Sequence, residues 1–287
     1  MRKLSEETLK SAQHMEEKAH DSAENIKKIT LELANNVTGT RLSDLALTNI
    51  ELIDRNLYER SCDVRWWATD SSVWNALKSD ATQQDKDFAC KRLGVILNAY
   101  TVYFDIVVCD LQGTVIANGR KEQYASIGMN VRSSDWFSVA ITQNSGDEYA
   151  FASVHKSSLV NNERALIYAC TVRQNGDVNG RVLGVLGVVF RYDALAQTIM
   201  HNTPLLASEK DKTRVCIIDE SGTVLADSED KVLVETLDIE NKRLLLAEKK
   251  NHVVTKVNGK TVLVGHAQSP GYETYKTGWH SMLIQDV

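Results

Sequence analysis

Asp110-Leu111-Gln112-Gly113-Thr114-Val115-Ile116-Ala117-Asn118 returns 109 positions later as Asp219-Glu220-Ser221-Gly222-Thr223-Val224-Leu225-Ala226-Asp227. Each copy follows an apolar run, Phe104 to Cys109 in the first and Val215 to Ile218 in the second. An apolar strand, then Asp-x-x-Gly, then a further strand is the pattern of a β-hairpin. The Asp carboxylate accepts from backbone N–H groups of the turn, and the Gly supplies the positive φ that closes it. One such turn is common. Two with the same flanks predict a duplicated module, at a spacing beyond the roughly 20–50-residue periods of solenoids.

The segments around the two hairpins keep the same order. After the first strand and hairpin (residues 102–118) comes a brief helix at 133–142 that carries Trp136 and Phe137, its Ser-Ser-Asp start reading as a cap. Strand-like runs follow at 148–154, 164–172 and 181–190, the last two separated by Asn175-Gly176 and Asn179-Gly180. A linking helix at 192–201 stops before Pro204. The second module then runs through a strand at 214–218, its hairpin, a helix at 240–249, and strands at 252–257 and 260–267. Those two strands are joined by Asn258-Gly259, a strong two-residue hairpin signal, and a last strand occupies 278–284. Strands that meander, with helices kept to one side, predict an α+β fold rather than a wound parallel sheet.

Upstream of the modules, residues 3–78 hold no Pro and one Gly, Gly39. Ala12, Ala19, Ile26 and Leu33 recur every seventh residue, with Met15 and Ile29 three positions after Ala12 and Ile26. This heptad seam, flanked by Glu and Lys, predicts a helix that pairs with a partner, as a coiled coil over residues 1–38. From Leu42 the stripe thickens through Leu45, Leu47, Ile50, Ile53, Leu57 and Val64, as a helix packing on a domain requires. Trp66, Trp67 and Trp74 are placed on the same element, giving one helix of about 70 residues or two that meet near Gly39. A further helical pattern covers 85–99. The expected division is a helical stalk over 1–78, a first module over 79–203 and a second over 204–287.

The chain has 287 residues, 43% apolar and 25% charged, which suits a folded protein of about two domains. A net charge of −5 argues against a nucleic-acid surface, and no apolar run reaches the roughly 18 residues of a membrane span. The polar start offers no secretory h-region, so the chain is read either as cytoplasmic or as a piece cut from between membrane segments. Cys62, Cys90, Cys109, Cys170 and Cys216 are scattered and read as unpaired thiols. Gly259-Lys260-Thr261 resembles the end of a phosphate loop, but Val254 stands where that loop needs Gly. No His pair has metal-ligand spacing, and no nucleophile motif occurs, so neither an enzyme, a metal nor a cofactor is expected.

A long helix followed by two PAS-like modules resembles the double-Cache (dCACHE) sensor domains of bacterial methyl-accepting chemoreceptors and sensor kinases, over about residues 40–287. The residues carrying the resemblance are the two hairpins, Ser134-Asp135-Trp136-Phe137, Gly184-Val185-Leu186-Gly187-Val188, the Gly278-Trp279 strand, and the helical stretch from Asn56 to Trp67. The resemblance implies a small-molecule ligand in the first, membrane-distal module and signal transmission through the second. It also implies a membrane-anchored parent with this region extracytoplasmic, a cytoplasmic protein remaining an alternative, and a homodimer through the N-terminal helix. Amino-acid-binding members carry an Arg two positions before the Trp and an Asp in the strand after the Gly-Val repeat. Here those places hold Ser134 and Val189, which removes two charge-assisted anchors and counts against an α-amino acid as ligand. Arg132 remains nearby to neutralise an anion.

The candidate site is built from Trp136 and Phe137 as an aromatic wall, with Arg132 beside it. Tyr149, Phe151 and Ser153 alternate along one strand, and Tyr168 and Cys170 along the next, so each set shares a face. All eight are expected around one cavity; the competing reading makes the aromatics ordinary core. Two other functional readings use the same residues. One is the sensor of a histidine kinase or diguanylate cyclase. The other is a structural or interaction module that binds no ligand.

Overall fold

The computed structural model describes the backbone of residues 2–287 and the side chains from Lys10 onward; the start of the expected coiled coil lies outside the described side chains. Helix α1 (Arg2–Trp67) is one uninterrupted element of 66 residues. Gly39 does not divide it. That glycine instead admits a neighbour, since a Cβ there would sit 2.3 Å from the His252 ring. Trp74 is a correction to the sequence reading. The chain breaks after Trp67, and Trp74 belongs to a separate helix α2 (Ser71–Ala76), started by Asp70 accepting from the Ser72 N–H at 2.8 Å. Helix α3 (Gln83–Ala99) opens on a reciprocal capping box between Thr82 and Asp85.

Two five-stranded antiparallel sheets follow, with one topology. The first contains β1 (Tyr103–Asp110), β2 (Val115–Asn118), β3 (Ala150–Ser157), β4 (Glu163–Arg173) and β5 (Val182–Phe190), in the order β2-β1-β5-β4-β3. Helix α4 (Asp135–Ala140) lies between β2 and β3, and α5 (Tyr192–Asn202) leads to the second module. There β6 (Thr213–Ile218), β7 (Val224–Asp227), β8 (Lys250–Val257), β9 (Lys260–Gln268) and β10 (His280–Asp286) take the order β7-β6-β10-β9-β8, with α6 (Lys242–Leu246) between β7 and β8. The duplication extends to atomic detail. Asp110 Oδ1 accepts from Thr114 N at 2.8 Å and Asp219 Oδ1 from Thr223 N at 2.9 Å, while Gly113 and Gly222 turn at φ +81° and +95°. Val107 pairs with Asn118 as Cys216 pairs with Asp227, and both hairpins bulge at the same place, after Val108 and after Ile217.

One face of each sheet packs on α1. Leu42, Ala46, Ile50, Ile53, Leu57 and Val64 are fully buried and join side chains from both sheets into one continuous core. At the second sheet the helix backbone itself lies on Gly265, where a Cβ would stand 2.5 Å from the Leu42 Cβ. Polar contacts fix the helix along its length. Asp54, with no exposed surface, accepts from Ser269 Oγ (2.7 Å), Gly271 N (2.9 Å) and Thr277 Oγ1 (3.3 Å), tying down the β9–β10 connection. Near the other end, Tyr103 donates to Asp63, and Arg60 lies over the rings of Tyr103 and Phe190. Upstream of Asn36, which meets His252 Nε2 at 3.5 Å, the described residues of the helix have no such partner: Met15, Ile26, Ile29 and Leu33 are all more than 60% exposed.

The modules meet through an aromatic joint. Tyr168 on β4 and Tyr275 in the β9–β10 connection share a hydrogen bond of 2.6 Å between their hydroxyls. Tyr149 stacks on Tyr275 at 6.3 Å, Phe151 touches both Tyr275 and Trp279, and Trp279 meets the edge of Tyr192 on α5. At the rim Arg164 of the first module reaches Asp193 (2.6 Å) and Asp230 of the second (3.2 Å).

Replacing Gly265 by Ala should cost about 1–3 kcal/mol in urea unfolding, because the added methyl meets helix backbone that has nowhere to move. Gly259→Asn, at a turn with open space and φ +80°, should stay within about 0.5 kcal/mol of wild type. At the joint, Tyr168→Phe or Tyr275→Phe strands the other hydroxyl and should cost about 1–3 kcal/mol. The double variant should cost less than the sum of the two, a coupling that a double-mutant cycle reads directly.

Candidate functional site

The face of the first sheet turned away from α1 carries Val107, Cys109, Ile167, Ala169, Val185 and Val189, and the segment between β2 and β3 covers it. Trp136 and Phe137 enter from α4 and are almost wholly buried, their rings edge to face at 6.0 Å. The seat for the indole is Gly187, where a Cβ would lie 3.2 Å from Trp136 Cζ3. This accounts for the spacing of the Gly184-Val185-Leu186-Gly187 run: Gly187 admits the indole on this face and Gly184 admits Leu77 on the other. Ala150, Ala165 and Ala169 keep the floor shallow. Ser134 occupies the N-cap position of α4 without a capping side-chain bond, and Asp135 supplies the acidic residue of the first turn.

Polar groups stand at one end of this face. Asp105, with no exposed surface, accepts from the N–H groups of Ile106 (2.8 Å), Gly119 (3.0 Å) and Arg120 (3.0 Å), and from Asn118 Nδ2 (2.7 Å). Burial pushes its carboxyl up to about 6, with those hydrogen bonds pulling the other way. Asp105 pairs with Val189, two residues beyond Gly187, so it lies about 7 Å along the strand from the indole seat. Asn118 Oδ1, beside it, and Ser126 Oγ, in the covering segment, are buried with no protein partner. Arg120 donates to the carbonyls of Leu97, Tyr103 and Phe104, all at 3.0 Å, and Arg191 lies 4.5 Å over the Phe104 ring.

Of the eight residues expected around one cavity, the structure brings only Trp136 and Phe137 together on this face. Tyr149, Phe151, Tyr168 and Cys170 correct that reading: they belong to the core on the α1 side, most of them in the aromatic joint. The reason is strand parity. Phe151 pairs with Tyr168, so both point one way while Ala150, Ile167 and Ala169 point the other. Ser153 is exposed at the bulge between Ala152 and His155, and Arg132 is exposed on the covering segment. Asp105 and Ser126 were not singled out from the sequence. Asn118 carried a signal as the last residue of the repeated phrase, matched by Asp227 in the second copy, and Gly187 as part of the Gly-Val run that carries the resemblance.

The second module diverges at the matching positions. Arg214 stands where Asp105 does and donates to Asp227 at 2.9 and 2.7 Å and to Glu235 at 2.9 Å, a closed ion cluster. Its covering segment contributes Leu237, Ile239 and Leu245, with no aromatic ring; of the three leucines in α6 only Leu245 is fully inside. An open groove of about 750 Å³ next to it is lined by Lys210, Lys212, Arg214 and Lys231. Arg214 and Lys231 there are already paired with Glu229 and Glu235. Among the described residues no cluster of His, Cys, Asp and Glu can hold a metal, all five cysteines are free, and no helix is long and apolar enough to cross a membrane.

The fold has clear relatives among solved structures. The sensor domain of the Vibrio cholerae histidine kinase DctB is similar over 90% of this chain and 99% of its own, with TM-score 0.66 and 15% identity. The ligand-binding domain of the Campylobacter jejuni chemoreceptor Tlp3, in complex with 4-methylisoleucine, is similar over 88% of this chain and 91% of its own, with TM-score 0.64 and 13% identity. The ligand-binding domain of the Pseudomonas fluorescens chemoreceptor CtaA, in complex with L-leucine, covers 89% of this chain and 95% of its own, with TM-score 0.57 and 13% identity. No curated protein matches in sequence. The family model for the Cache domain matches residues 7–286. With that match over nearly the whole chain, and two modules of one topology carried on a single helix, this protein belongs to the Cache-domain family as a double-Cache sensor domain.

Proposed function

We propose that this chain is the extracytoplasmic ligand-sensing region of a membrane-anchored bacterial chemoreceptor, binding a small molecule in the first module between the sheet and α4. The observation that carries this reading is the Trp136 indole seated on Gly187 over a floor of small side chains, with polar groups at one end. Aromatic wall, apolar floor and few polar anchors are what a small-ligand site needs. The face is tightly packed in this structure, so entry requires α4 and its segment to lift. Such a lid would couple binding to a change of conformation. A ligand that favours the lifted state shifts the population by its difference in affinity for the two states. On the reverse face of β4, Tyr168 touches the second module and α1 carries both, which supplies a route for the displacement.

The chemistry of the ligand follows from what the face lacks. Tlp3 and CtaA are seen with a branched-chain amino-acid analogue and L-leucine. Here Ser134 precedes the Trp and Val189 lies buried in the floor, so neither supplies an ion for a zwitterion. Asp105 is already saturated by four donors. Arg132, on the rim, is the residue we assign to an anionic part of the ligand. A common α-amino acid is therefore not our reading, and the site performs no chemistry of its own. A histidine-kinase output is the second reading, favoured by the similarity to DctB over nearly all of that chain.

A thermal-shift screen against metabolites should find a ligand that raises the melting temperature by about 5–10 °C at 100 times its dissociation constant. Trp136→Ala should abolish that shift, whereas Leu245→Ala should lower stability by about 2–5 kcal/mol and leave affinity intact. A folded Trp136→Ala protein with full affinity would refute the site. Calorimetric titration with the common L-amino acids should show no micromolar binding; one that binds would overturn the reading of Ser134 and Val189.

The exposed stripe at Met15, Ile26, Ile29 and Leu33 is the surface we assign to a parallel homodimer, completing the heptads that no described residue of the same chain covers. Sedimentation at tens of micromolar should show a weak, concentration-dependent dimer that disappears when residues 1–38 are removed. Monomer in both cases would remove the stalk from the mechanism.

A further inference from the structure

His266 on β9 and His280 on β10 are diagonal neighbours across one strand pair, His266 opposite Met282 and His280 opposite Gln268. Both point away from α1, onto the face of the second sheet that corresponds to the Trp136 face of the first. They are 0% and 3% exposed, their rings are stacked at 5.0 Å, and His266 Nε2 lies 2.8 Å from His280 Nδ1. One hydrogen bond joins the two nitrogens, and a single proton occupies it. The remaining nitrogen on the inner ring, His266 Nδ1, is buried without a partner.

We propose that this pair is an acid-sensitive latch: protonation of both rings breaks the shared hydrogen bond and releases the second module's covered face, while the first module stays closed. A first added proton can sit on the outer nitrogen of His280 with the shared bond kept; a second must go to His266. With both rings protonated, two N–H donors would face each other across 2.8 Å, and His266 would hold a cation with no acceptor inside the core. The surroundings do not neutralise it. Asn251 on β8 stands opposite His266 and Cys216 on β6 lies opposite Met282, neither of them a carboxylate. Asp219 and Glu220 in the β6–β7 turn favour a charged His280, Lys242 on α6 opposes it, and all three act on His280 rather than on the inner ring.

Burial holds His266 down to about 3 and His280 below its ordinary value. A histidine held below its unfolded value of about 6.5 contributes stability that is complete above that pH and is lost as pH falls below it. Four buried or half-buried carboxylates, Asp54, Asp63, Asp105 and Asp193, are shifted upward. Their sign is opposite, since acidification favours the folded form wherever a carboxyl is held above its unfolded value. Loss of stability between pH 7.5 and 5.0 therefore points to the histidines. The consequence reaches the joint, because Trp279, one residue before His280, packs on Phe151 and Tyr192.

Hydrogen exchange on the whole chain, corrected for intrinsic rates, tests the latch at pH 7.5, 6.5, 5.5 and 5.0. Opening of the β9 and β10 amides should rise about thirty-fold at pH 5.0 from His266 alone, while β1, β4 and β5 change less than about threefold. The double variant His266→Phe/His280→Gln keeps an aromatic ring and a neutral hydrogen-bonding group, and should flatten the second-module response to under about threefold. His266→Asn provides a milder replacement should the double variant not fold, and should also reduce the response. A wild-type second module that opens no more at pH 5.0 than at 7.5 overturns the proposal, as does a folded variant that keeps the full response. Equal opening of both modules would overturn it too, by placing the acid sensitivity elsewhere.

Discussion

The structure depends on one contact: the backbone of α1 lying directly on the second sheet at Gly265. With no side chain at that position the helix can approach to van der Waals distance of the strand, and Leu42 and Ser43 fill the space a Cβ would take. That approach lets a single helix stripe, Leu42 to Val64, be buried by both sheets in turn. Neither sheet is covered on that face by anything else of comparable length. The helix is therefore core as well as spine, and a movement of either sheet must be accommodated along it. Asp54 and the Arg60–Asp63–Tyr103 group pin it at two heights, where sliding would strand buried polar atoms.

Each sheet consequently has one face committed to the spine and one free to specialise, and the two modules have specialised differently. The first gives its free face an aromatic lid over small residues, with Asp105 and Asn118 at one end. The second fills the same space with aliphatic side chains and encloses an ion cluster where Asp105 would be. A charge reversal at a duplicated position, Asp105 against Arg214, shows how far two copies of one scaffold can separate while hairpin register and bulge are retained. The same free face in the second module buries His266 and His280, so its packing rests on two groups whose charge state changes with pH.

Aromatic residues that read as ligand contacts serve instead to hold the modules together. Tyr149, Phe151 and Tyr168 point at Tyr275 and Trp279 across the joint. Their alternation along the strand was legible, but alternation assigns residues to a shared face without saying which face. β3 and the residue before it carry large side chains at Tyr149 and Phe151 and small ones at Ala150 and Ala152, and the side that receives a second domain takes the large ones. The use of Gly187 was hidden for a related reason: the Gly-Val run marks a resemblance, but only the ring seated on it shows what the missing side chain admits.

Local chemistry determined much of this protein from the sequence alone. The paired Asp-x-x-Gly phrases specify two hairpins and hence a duplication, because a tight turn needs a side-chain acceptor and a positive φ within four residues. The absence of Pro over the first 78 positions specifies a long helix, and the density of its apolar stripe marks where burial begins. These are short-range constraints, complete within a few turns of chain. The end of α1 before Trp74, the face taken by Tyr168, the seating of Trp136 on Gly187, the burial of Asp105 and the pairing of His266 with His280 were decided only by tertiary structure. Each depends on which residues from distant segments meet. That is set by strand register and by which face of a sheet a helix covers, and no spacing along the chain carries that information.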